Sequence, residues 1–310
     1  MELDFLAKGD LLQENTAYIV VGPTASGKSK FAYWLANKLS GAIVNADSMQ
    51  VYDCLKTLTA SPTLEQCNNI PHYMYNFLNP IMHYSVAAYL SDLEKVLKTL
   101  RNKQLSPIIV GGTGMYINSA LNGISQIPEI SSKNKEKAFY LLEKYGAEEL
   151  YNMLLKIDDK PFPNSPNDRQ RILRAYEVYL ESGKPISYFK KFRTKSLLKE
   201  YNVKILYIKP DRSRLYQLIE NRFWKFIEGE VLEEVEDFRK KYPDVKTSIS
   251  KALGLKELEC YLNNQLTLEE AVATATKKTR NFAKRQYTWF NNQLPKNIEI
   301  ITPPNCNDNS

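Results

Sequence analysis

Histidine and cysteine are scarce in this sequence. The 310 residues include two histidines and four cysteines, and no two cysteines form a CxxC pair. Zinc sites and histidine-based metal centres need clusters of these residues, so the composition argues against both. We expect reduced, structural thiols, as is usual in a reducing compartment. The cysteines are Cys54, Cys67, Cys260 and Cys306.

Long apolar runs are also missing. No stretch approaches the roughly 20 apolar residues that a membrane-spanning helix needs. The initial segment, MELDFLAKGDLL, is acidic and resembles neither a signal peptide nor an Arg-rich transit peptide. We therefore expect a cytoplasmic protein with no membrane partner.

The remaining composition is that of an ordinary globular chain. Hydrophobic residues make up 43% and charged residues 25% of the sequence, which excludes collagen-like, low-complexity and wholly disordered proteins. The net charge of +7 is modest. It is compatible with an anionic partner such as phosphate or RNA but does not require one. The length predicts one large domain or two ordinary ones.

Short apolar runs alternate with helical patterns along most of the chain. The runs are Tyr18–Val21, Ala42–Asn45, Pro107–Val110, Val203–Ile208 and Ile298–Ile301. The helical patterns occupy residues 28–39, 168–181, 211–241 and 267–290. Continuous apolar strands that alternate with helices are typical of a parallel sheet with both faces covered. We therefore predict an α/β fold whose ligand site lies beyond the carboxyl ends of the strands.

The composition changes in the middle of the chain. Residues 128–205 are rich in helical patterns, polar loops and proline breakers. We predict a helical insertion at residues 125–203, between two parts of one sheet core at residues 1–124 and 204–302. The polar tail at residues 303–310 is expected to be disordered.

A glycine-rich loop joins the first strand to the first helix. The segment Gly22-Pro23-Thr24-Ala25-Ser26-Gly27-Lys28-Ser29 matches the pattern G-x-x-x-x-G-K-S. Its backbone N–H groups and the helix N-terminus favour phosphate, Lys28 adds a positive charge, and the Ser29 hydroxyl is a candidate Mg²⁺ ligand. The motif predicts a P-loop NTPase-like core that binds a di- or triphosphate. It leaves ATPases, kinases and other diphosphate-using enzymes open.

Two further polar segments follow the second and third strands. Asp47 lies at the carboxyl edge of the sheet, where it is a candidate proton or hydrogen-bond acceptor that faces the substrate. Thr113, in the turn Gly111–Gly114, is expected to reach the phosphate site from the neighbouring strand. The alternative for each side chain is to cap a helix N-terminus.

Two predicted helices are basic. Gln170 and Arg174 share one helical face, with Arg171 a turn behind. Residues 276–290 contain five cations and no acid, and Lys277, Arg280 and Lys284 form a stripe suited to tracking phosphates. The alternative for both helices is a solvated charged face. The aromatic residues of the second helix are expected either to stack on bases or to anchor the core, and the run Lys190–Lys199 either to clamp RNA or to face solvent.

Six segments together resemble one enzyme family. They are GPTASGKS, NADSMQVY, GGTGMYI, DRQRILRAYEV, SGKPIS and TRNFAKRQYTWF, in that order along the chain. In this combination the sequence resembles the tRNA dimethylallyltransferases, the tRNA isopentenyltransferases of bacterial type, over about residues 17–292. Because several separate motifs recur in the family's order, the resemblance is more specific than the phosphate loop alone.

The resemblance implies a reaction. Members of the family transfer a dimethylallyl group from dimethylallyl diphosphate to N6 of the adenosine adjacent to the anticodon on its 3′ side. It implies that residues 22–29 hold the diphosphate leaving group rather than ATP, with Mg²⁺ as cofactor. It assigns Asp47 as the catalytic aspartate and places Thr113 against the diphosphate. The family also suggests a monomer.

The resemblance further implies a surface for the tRNA anticodon stem-loop, which the insertion would grip. The target base is expected to leave its stack and enter a channel, as in other base-modifying enzymes. The residues implied to contact tRNA are Asp47, Ser48, Met49, Gln50, Gln170, Arg171, Ile172, Leu173, Arg174, Lys251, Lys256, Lys277, Arg280, Lys284 and Arg285.

Three other functions are compatible with parts of the sequence. An adenylate prenyltransferase acting on free AMP or ATP would share the phosphate loop, but it would need neither the insertion nor the basic C-terminal helix. A P-loop nucleotide kinase should show a strand-ending Walker B aspartate and an arginine-bearing lid, and no clear lid is present. A non-catalytic RNA-binding protein would not need the loop together with Asp47.

Overall fold

The computed structural model describes residues 15–67, 69–158, 165–295 and 298–302. The chain divides into two compact units. One runs as far as Leu121 and resumes at Leu197, and the other is Asn122–Ser196. The predicted insertion, residues 125–203, begins and ends a few residues later than this second unit. The predicted disordered tail, residues 303–310, lies outside the described residues.

The first unit contains one six-stranded sheet in which every pairing is parallel. Its strands are β1 (Thr16–Val21), β2 (Gly41–Asn45), β3 (His72–Tyr73), β4 (Ser106–Gly111), β5 (Asn202–Ile208) and β6 (Glu299–Ile301), in the spatial order β3-β2-β4-β1-β5-β6. In register, Tyr18 lies opposite Ile108 on one side and Lys204 on the other. The predicted α/β fold is confirmed, although β3 went unpredicted because its two residues form no apolar run.

Helices of the first unit flank this sheet, and the second unit has helices of its own. Those before the second unit are α1 (Lys28–Leu39), α2 (Lys56–Thr59), α3 (Leu64–Cys67), α4 (Val86–Asn102) and α5 (Gly114–Asn122). The second unit contains α6 (Ser132–Ile157), α7 (Arg169–Ser182) and α8 (Ile186–Phe189). The later ones are α9 (Arg212–Glu228), α10 (Val231–Lys241), a 3-10 helix at Ser248–Lys251, α11 (Leu255–Leu262) and α12 (Leu268–Gln293). In the described part of the chain, no helix is both long and apolar enough to span a membrane.

Two apolar cores fix the position of the elements in the first unit. Phe31 and Leu35 of α1 form one core with strand residues such as Val110. A second core joins the segment after β2 to α9, α10 and α12, through residues that include Val51, Phe223, Val235 and Val272. The C-terminal helices are therefore packed beside the chain that leaves β2, where Asp47 lies.

Local sequence signals explain where two of these helices begin or end. The Thr267 hydroxyl accepts from the N–H of Glu270, whose carboxylate accepts from the N–H of Thr267, so a capping box starts α12. The stretch predicted as one helical region at 211–241 consists of two helices. It is interrupted at Gly229 and Glu230, because glycine favours helix termini over interiors.

The second unit is a small helical body with its own core. Ala138, Leu142 and Leu150 of α6 pack with Ile172 and Tyr176 of α7. Gly146 interrupts α6 with a left-handed φ of 79°, which bends the helix. The Asp168 side chain accepts from the N–H of Arg171 at the start of α7, and Gly183 ends the helix in a left-handed conformation.

Candidate active site and nucleic-acid interface

The loop between β1 and α1 is shaped by tight backbone turns. Ala25 and Gly27 both have left-handed φ values, 61° and 85°. A Cβ at Gly22 would lie 2.6 Å from Ser26 Oγ and 2.7 Å from the carbonyl oxygen of Ile208, so this position has room only for glycine. The Ser26 hydroxyl is buried and has no hydrogen-bond partner among the described residues. The loop therefore places the N-terminus of α1 at the cleft, where it favours an anion, and leaves one buried hydroxyl without a partner among the described residues.

Lys28 lies in this loop, where its ammonium can bind a phosphate. The ammonium lies 3.4 Å from the Pro23 carbonyl oxygen. Burial lowers the pKa of Lys28 to about 8; the carboxylate of Asp47 opposes this shift, and the charge of Arg222 adds to it. An incoming phosphate would restore the favourable surroundings that the ammonium lacks.

Arg222, on α9, is a site residue that the sequence did not reveal. It lies beside Asp47, whose charge opposes the lowering of the Arg222 pKa by burial. Its guanidinium lies 5.1 Å from the ring centre of Phe226. Arg222 belongs to no motif, because its role depends on the packing of α9 against the segment after β2.

Asp47 is positioned by the buried side chain of Asn45 at the end of β2. The Asn45 amide accepts from the Asp47 N–H (2.8 Å) and donates to the carbonyl oxygens of Asp47 and Met74, both at 3.0 Å. The Asp47 carboxylate accepts from the N–H of Met49 at 2.9 Å. Asp47 thus caps a local turn rather than a helix, and its carboxylate lines a cavity.

Thr113 ties the turn after β4 to the turn after β2. Its N–H donates to the carbonyl oxygen of Ala46 at 3.1 Å. Its hydroxyl accepts from the N–H of Ser48 at 3.0 Å and lies 3.3 Å from the Ser48 hydroxyl. A Cβ at Gly111 would overlap the backbone of Ala46, so this glycine is required for close approach. Thr113 therefore fixes the backbone on both sides of Asp47.

A chamber of about 310 Å³ brings these residues together. Its polar wall includes Thr24, Asp47, Thr113 and Arg222. Its apolar wall is formed by Met49, Leu58, Ile219, Phe223, Phe226, Leu253 and Phe282. A planar or branched apolar group that enters this chamber would contact aromatic rings and the Asp47 carboxylate.

An open cleft adjoins the chamber and shares Thr24, Ala25, Asp47, Thr59, Arg222 and Phe226 with it. Among the described residues, those that line the cleft include five cations and one carboxylate, Asp47. The cations are Lys28, Lys30, Lys56, Arg222 and Lys225. The cleft is therefore strongly cationic beside the phosphate loop.

The segment that follows Asp47 has mixed roles. Ser48 and Met49 line the chamber, and Met49 also packs against the second core. Gln50 lines the cleft instead, and its amide donates to the carbonyl oxygens of Thr59 and Ala60 at 3.0 and 2.8 Å. Gln50 thereby holds the loop that follows α2 against the site.

The predicted stripe on α12 is only partly exposed. Lys277, Lys284 and Arg285 are exposed, and Arg285 also lines the chamber. Arg280 instead donates to Glu220 at 2.7 Å and lies 5.3 Å from the ring centre of Tyr216. Its charge is therefore already matched within the protein.

The aromatic residues of α12 divide between the two roles considered for them. Tyr287 and Phe290 are buried, and Phe290 packs against Tyr207 of β5 with a distance of 5.5 Å between ring centres. Phe282 is half-buried and lines the chamber. On the neighbouring elements, Lys251 is exposed at the chamber wall, and Lys256 is exposed on α11.

The remaining predicted tRNA contacts lie on α7, in the second unit. Gln170, Arg171 and Arg174 are exposed, and the two arginines pair locally with Asp168 and Glu177 at 2.9 Å. Ile172 is fully buried in the core of this unit, and Leu173 packs against that core. The side chain of Ile172 therefore stabilises α7 rather than facing a ligand.

Sequence reasoning also missed Gln286 on α12. Its amide accepts from the Thr24 N–H at 2.8 Å and donates to the Gly112 carbonyl oxygen at 2.9 Å. Gln286 recurs with Ala283 and Phe290 at the spacing of a buried helical face. A polar residue on an otherwise buried helical face was therefore the feature of the sequence that could have identified Gln286.

The donor set around the phosphate loop suits one kind of metal. The described residues contain no group of three His, Cys, Asp or Glu side chains that could hold a metal ion. The exposed hydroxyl of Ser29 lines the cleft. Such a sparse set fits Mg²⁺, which commonly keeps waters and takes further ligands from substrate phosphates.

Comparisons with known proteins agree with the resemblance. The family described as IPP transferase matches residues 50–293, and the family described as isopentenyl transferase matches residues 15–76. The tRNA dimethylallyltransferase of Bartonella quintana is 41% identical to this chain, over 94% of this chain and 98% of its own length.

Solved structures give the same result. The tRNA isopentenylpyrophosphate transferase of Staphylococcus epidermidis is 30% identical, with a TM-score of 0.63 and 93% of each chain covered. A eukaryotic dimethylallyltransferase acting on tRNA shares the fold, with a TM-score of 0.78 at 24% identity, over 93% of this chain and 74% of its own. The predicted family is thus confirmed, and the chain belongs to the tRNA dimethylallyltransferases, the IPP transferase family.

Proposed function

We propose that this protein transfers a dimethylallyl group from dimethylallyl diphosphate to N6 of the adenosine next to the anticodon of tRNA, on its 3′ side. The bond between C1 and the diphosphate oxygen breaks, a bond between N6 and C1 forms, and N6 loses a proton. One observation carries the proposal: a cationic cleft for a diphosphate meets an aromatic chamber at a single carboxylate, Asp47.

The cleft suits the leaving group. Two negative charges develop on diphosphate as the allylic C–O bond breaks, and preorganised positive groups stabilise them. Lys28, Arg222 and the loop N–H groups supply this field, and the Ser29 hydroxyl would be a ligand of Mg²⁺. When bound, Mg²⁺ would neutralise part of the charge on the departing diphosphate.

The chamber suits the acceptor. The lone pair of N6 is delocalised into the adenine ring, so N6 is a weak nucleophile that gains from a base at its N–H. Asp47 accepts this proton, while Phe282 and its aromatic neighbours offer faces on which the extruded base can stack. Thr113 holds the backbone around Asp47.

The tRNA meets the exposed cations. Lys251, Lys256, Lys277, Lys284 and Arg285 of the first unit bind phosphates of the anticodon stem-loop. Gln170, Arg171 and Arg174 of the second unit form a further RNA-binding face, so the insertion helps to grip the tRNA. The protein acts in the cytoplasm, as a monomer.

A transfer assay tests the proposal. Labelled dimethylallyl diphosphate and Mg²⁺ are incubated with unmodified tRNA, and with AMP in parallel, using the wild type and Asp47→Asn. We expect label on N6 of adenosine in tRNA alone, with kcat lowered roughly 100-fold or more in the variant. Asp237→Asn, at an exposed position on α10, is the matched control and should react like the wild type.

Other outcomes would redirect the assignment. Label in AMP would make the protein an adenylate prenyltransferase. If no label reached either acceptor and phosphoryl transfer from ATP to a nucleotide were found, the protein would be a kinase.

A further inference from the structure

We propose that Gln286 is a positioning residue that sets the distance between the diphosphate site and Asp47. The inference rests on the proposed function, because it concerns the approach of the two reactants. Gln286 touches neither reactant in this account and acts through the two loops that it joins.

The amide of Gln286 is shared between two loops from different strands. It is 7% exposed, and its hydrogen bond to Gly112 is buried. Its oxygen accepts from Thr24 in the phosphate loop, and its nitrogen donates to Gly112 in the turn after β4. One rigid, planar group therefore spans the gap between these loops and uses both of its functions to do so.

The turn after β4 is shaped to receive this amide. A Cβ at Gly112 would overlap Gln286 Nε2. The φ of Gly112 lies outside the left-handed region, so its backbone conformation does not demand glycine. Space for the Gln286 amide is what requires glycine here, and the two residues form a complementary pair.

Gln286 is connected to Asp47 through Gly112 and Thr113. Gly112 is bonded to Thr113, whose N–H and hydroxyl hold Ala46 and Ser48 on either side of Asp47. On the other loop, Thr24 lies four residues before Lys28. Gln286 therefore connects the groups that bind the leaving group to the groups that orient the proton acceptor.

Distance between reactants controls the rate of a displacement more strongly than the strength of binding does. A displacement of about 1 Å at the reacting atoms costs on the order of 100-fold in rate. We therefore expect kcat to fall roughly 10- to 100-fold when the hydrogen bonds of Gln286 to Thr24 and Gly112 are removed. The KM values for dimethylallyl diphosphate and tRNA should change by less than about threefold, because the side chains that contact each substrate remain.

Two substitutions by side chains of similar size test the two hydrogen bonds of Gln286. Gln286→Met removes both hydrogen bonds and keeps the length of the side chain. Gln286→Glu keeps an acceptor for Thr24 but removes the donor to Gly112. Tyr287→Phe is the matched control, since it removes a buried hydrogen bond from the same helix to Pro210, which belongs to neither loop. For each variant, kcat, both KM values, the affinity for inorganic pyrophosphate and the melting temperature are measured.

We expect a loss of kcat in both Gln286 variants and near-normal kcat in Tyr287→Phe. Pyrophosphate affinity should be retained in Gln286→Met, which adds no charge, whereas the carboxylate of Gln286→Glu should also weaken pyrophosphate binding. Wild-type kcat in Gln286→Met would overturn the proposal. So would a loss of kcat that follows the melting temperature equally in all three variants, because that pattern reports general destabilisation. If Gln286→Met does not fold, Gly112→Ala, which displaces the amide from the opposite side, is judged by the same criteria. An inactive wild type would instead refute the proposed function.

Discussion

The cleft and the chamber meet at Asp47 but differ in character. The cleft is open and is lined by five cations and few aromatic side chains, whereas the chamber is small and has an aromatic and aliphatic wall beside its three cations, Arg222, Lys251 and Arg285. The diphosphate leaving group of one substrate is strongly negative, whereas the adenine ring of the other substrate is flat and nearly neutral. The contrast indicates that each half of the site is adapted to one reactant, so variants in the two halves should affect different kinetic constants.

Among substitutions in the cleft, removal of the Lys28 charge should reduce activity the most. Lys28→Met deletes a charge-assisted contact worth about 1.5–3 kcal/mol. We expect kcat/KM for dimethylallyl diphosphate to fall roughly 10- to 100-fold, with the KM for tRNA unchanged. Lys30→Met, at an exposed position of the same cleft, is the matched control and should lose far less. An equal loss in both variants would mean that the cleft acts only through its overall charge.

Loss of an aromatic face should act on the other substrate. Phe282→Ala removes a stacking surface worth about 1–3 kcal/mol per base. We expect kcat/KM for tRNA to fall about tenfold, while the KM for dimethylallyl diphosphate stays constant. Phe282→Tyr keeps the ring and should retain most of the activity. A raised KM for dimethylallyl diphosphate in Phe282→Ala would contradict the assignment of the chamber to the base.

The pH dependence of kcat/KM for dimethylallyl diphosphate should report the ionisation of Lys28 in the cleft. Burial lowers the pKa of Lys28 to about 8, so in the free enzyme this ammonium loses its proton as the pH rises through that value. Since kcat/KM reports the free enzyme, its value for dimethylallyl diphosphate should fall about fourfold between pH 7 and 8.5. Lys28→Arg stays charged and should show a flat profile if it is active. A profile that also declines in this variant would assign the titration to another group.

The smallest effect is expected at the surface of α12. Lys284→Ala removes one phosphate contact, which should reduce the slope of log K for tRNA against log salt by about 0.7–0.9. Arg280→Ala should change the slope less, because Arg280 is paired with Glu220. Equal changes in the two variants would show that this ion pair opens when tRNA binds.

The parts of the fold and site that depend on short stretches of chain could be predicted. Five of the six strands, all except the two-residue β3, coincide with short, largely apolar runs, and the phosphate loop is defined by eight consecutive residues. Asp47 was found because the carboxyl end of a parallel strand identifies a place in space. These features depend on local sequence and on a general rule of sheet topology.

The contributions of α9 and α12 could not be predicted in the same way. Arg222 acts only because the second core packs α9 beside Asp47, and its neighbours in sequence carry no motif. Gln286 lies inside a motif that was singled out for its cations, yet its own role depends on loops at Thr24 and Gly112. The balance between exposed and paired cations, as in Lys284 and Arg280, likewise needs the tertiary structure.

The most direct test of the division between cleft and chamber uses one preparation of Asp47→Asn. Binding of inorganic pyrophosphate is measured by calorimetry, and transfer to tRNA is measured in the same sample beside the wild type. This division predicts a pyrophosphate affinity at least equal to that of the wild type, because a negative charge has left the cleft, together with loss of nearly all transfer. Retained transfer, or transfer and pyrophosphate binding lost together in a folded protein, would contradict it.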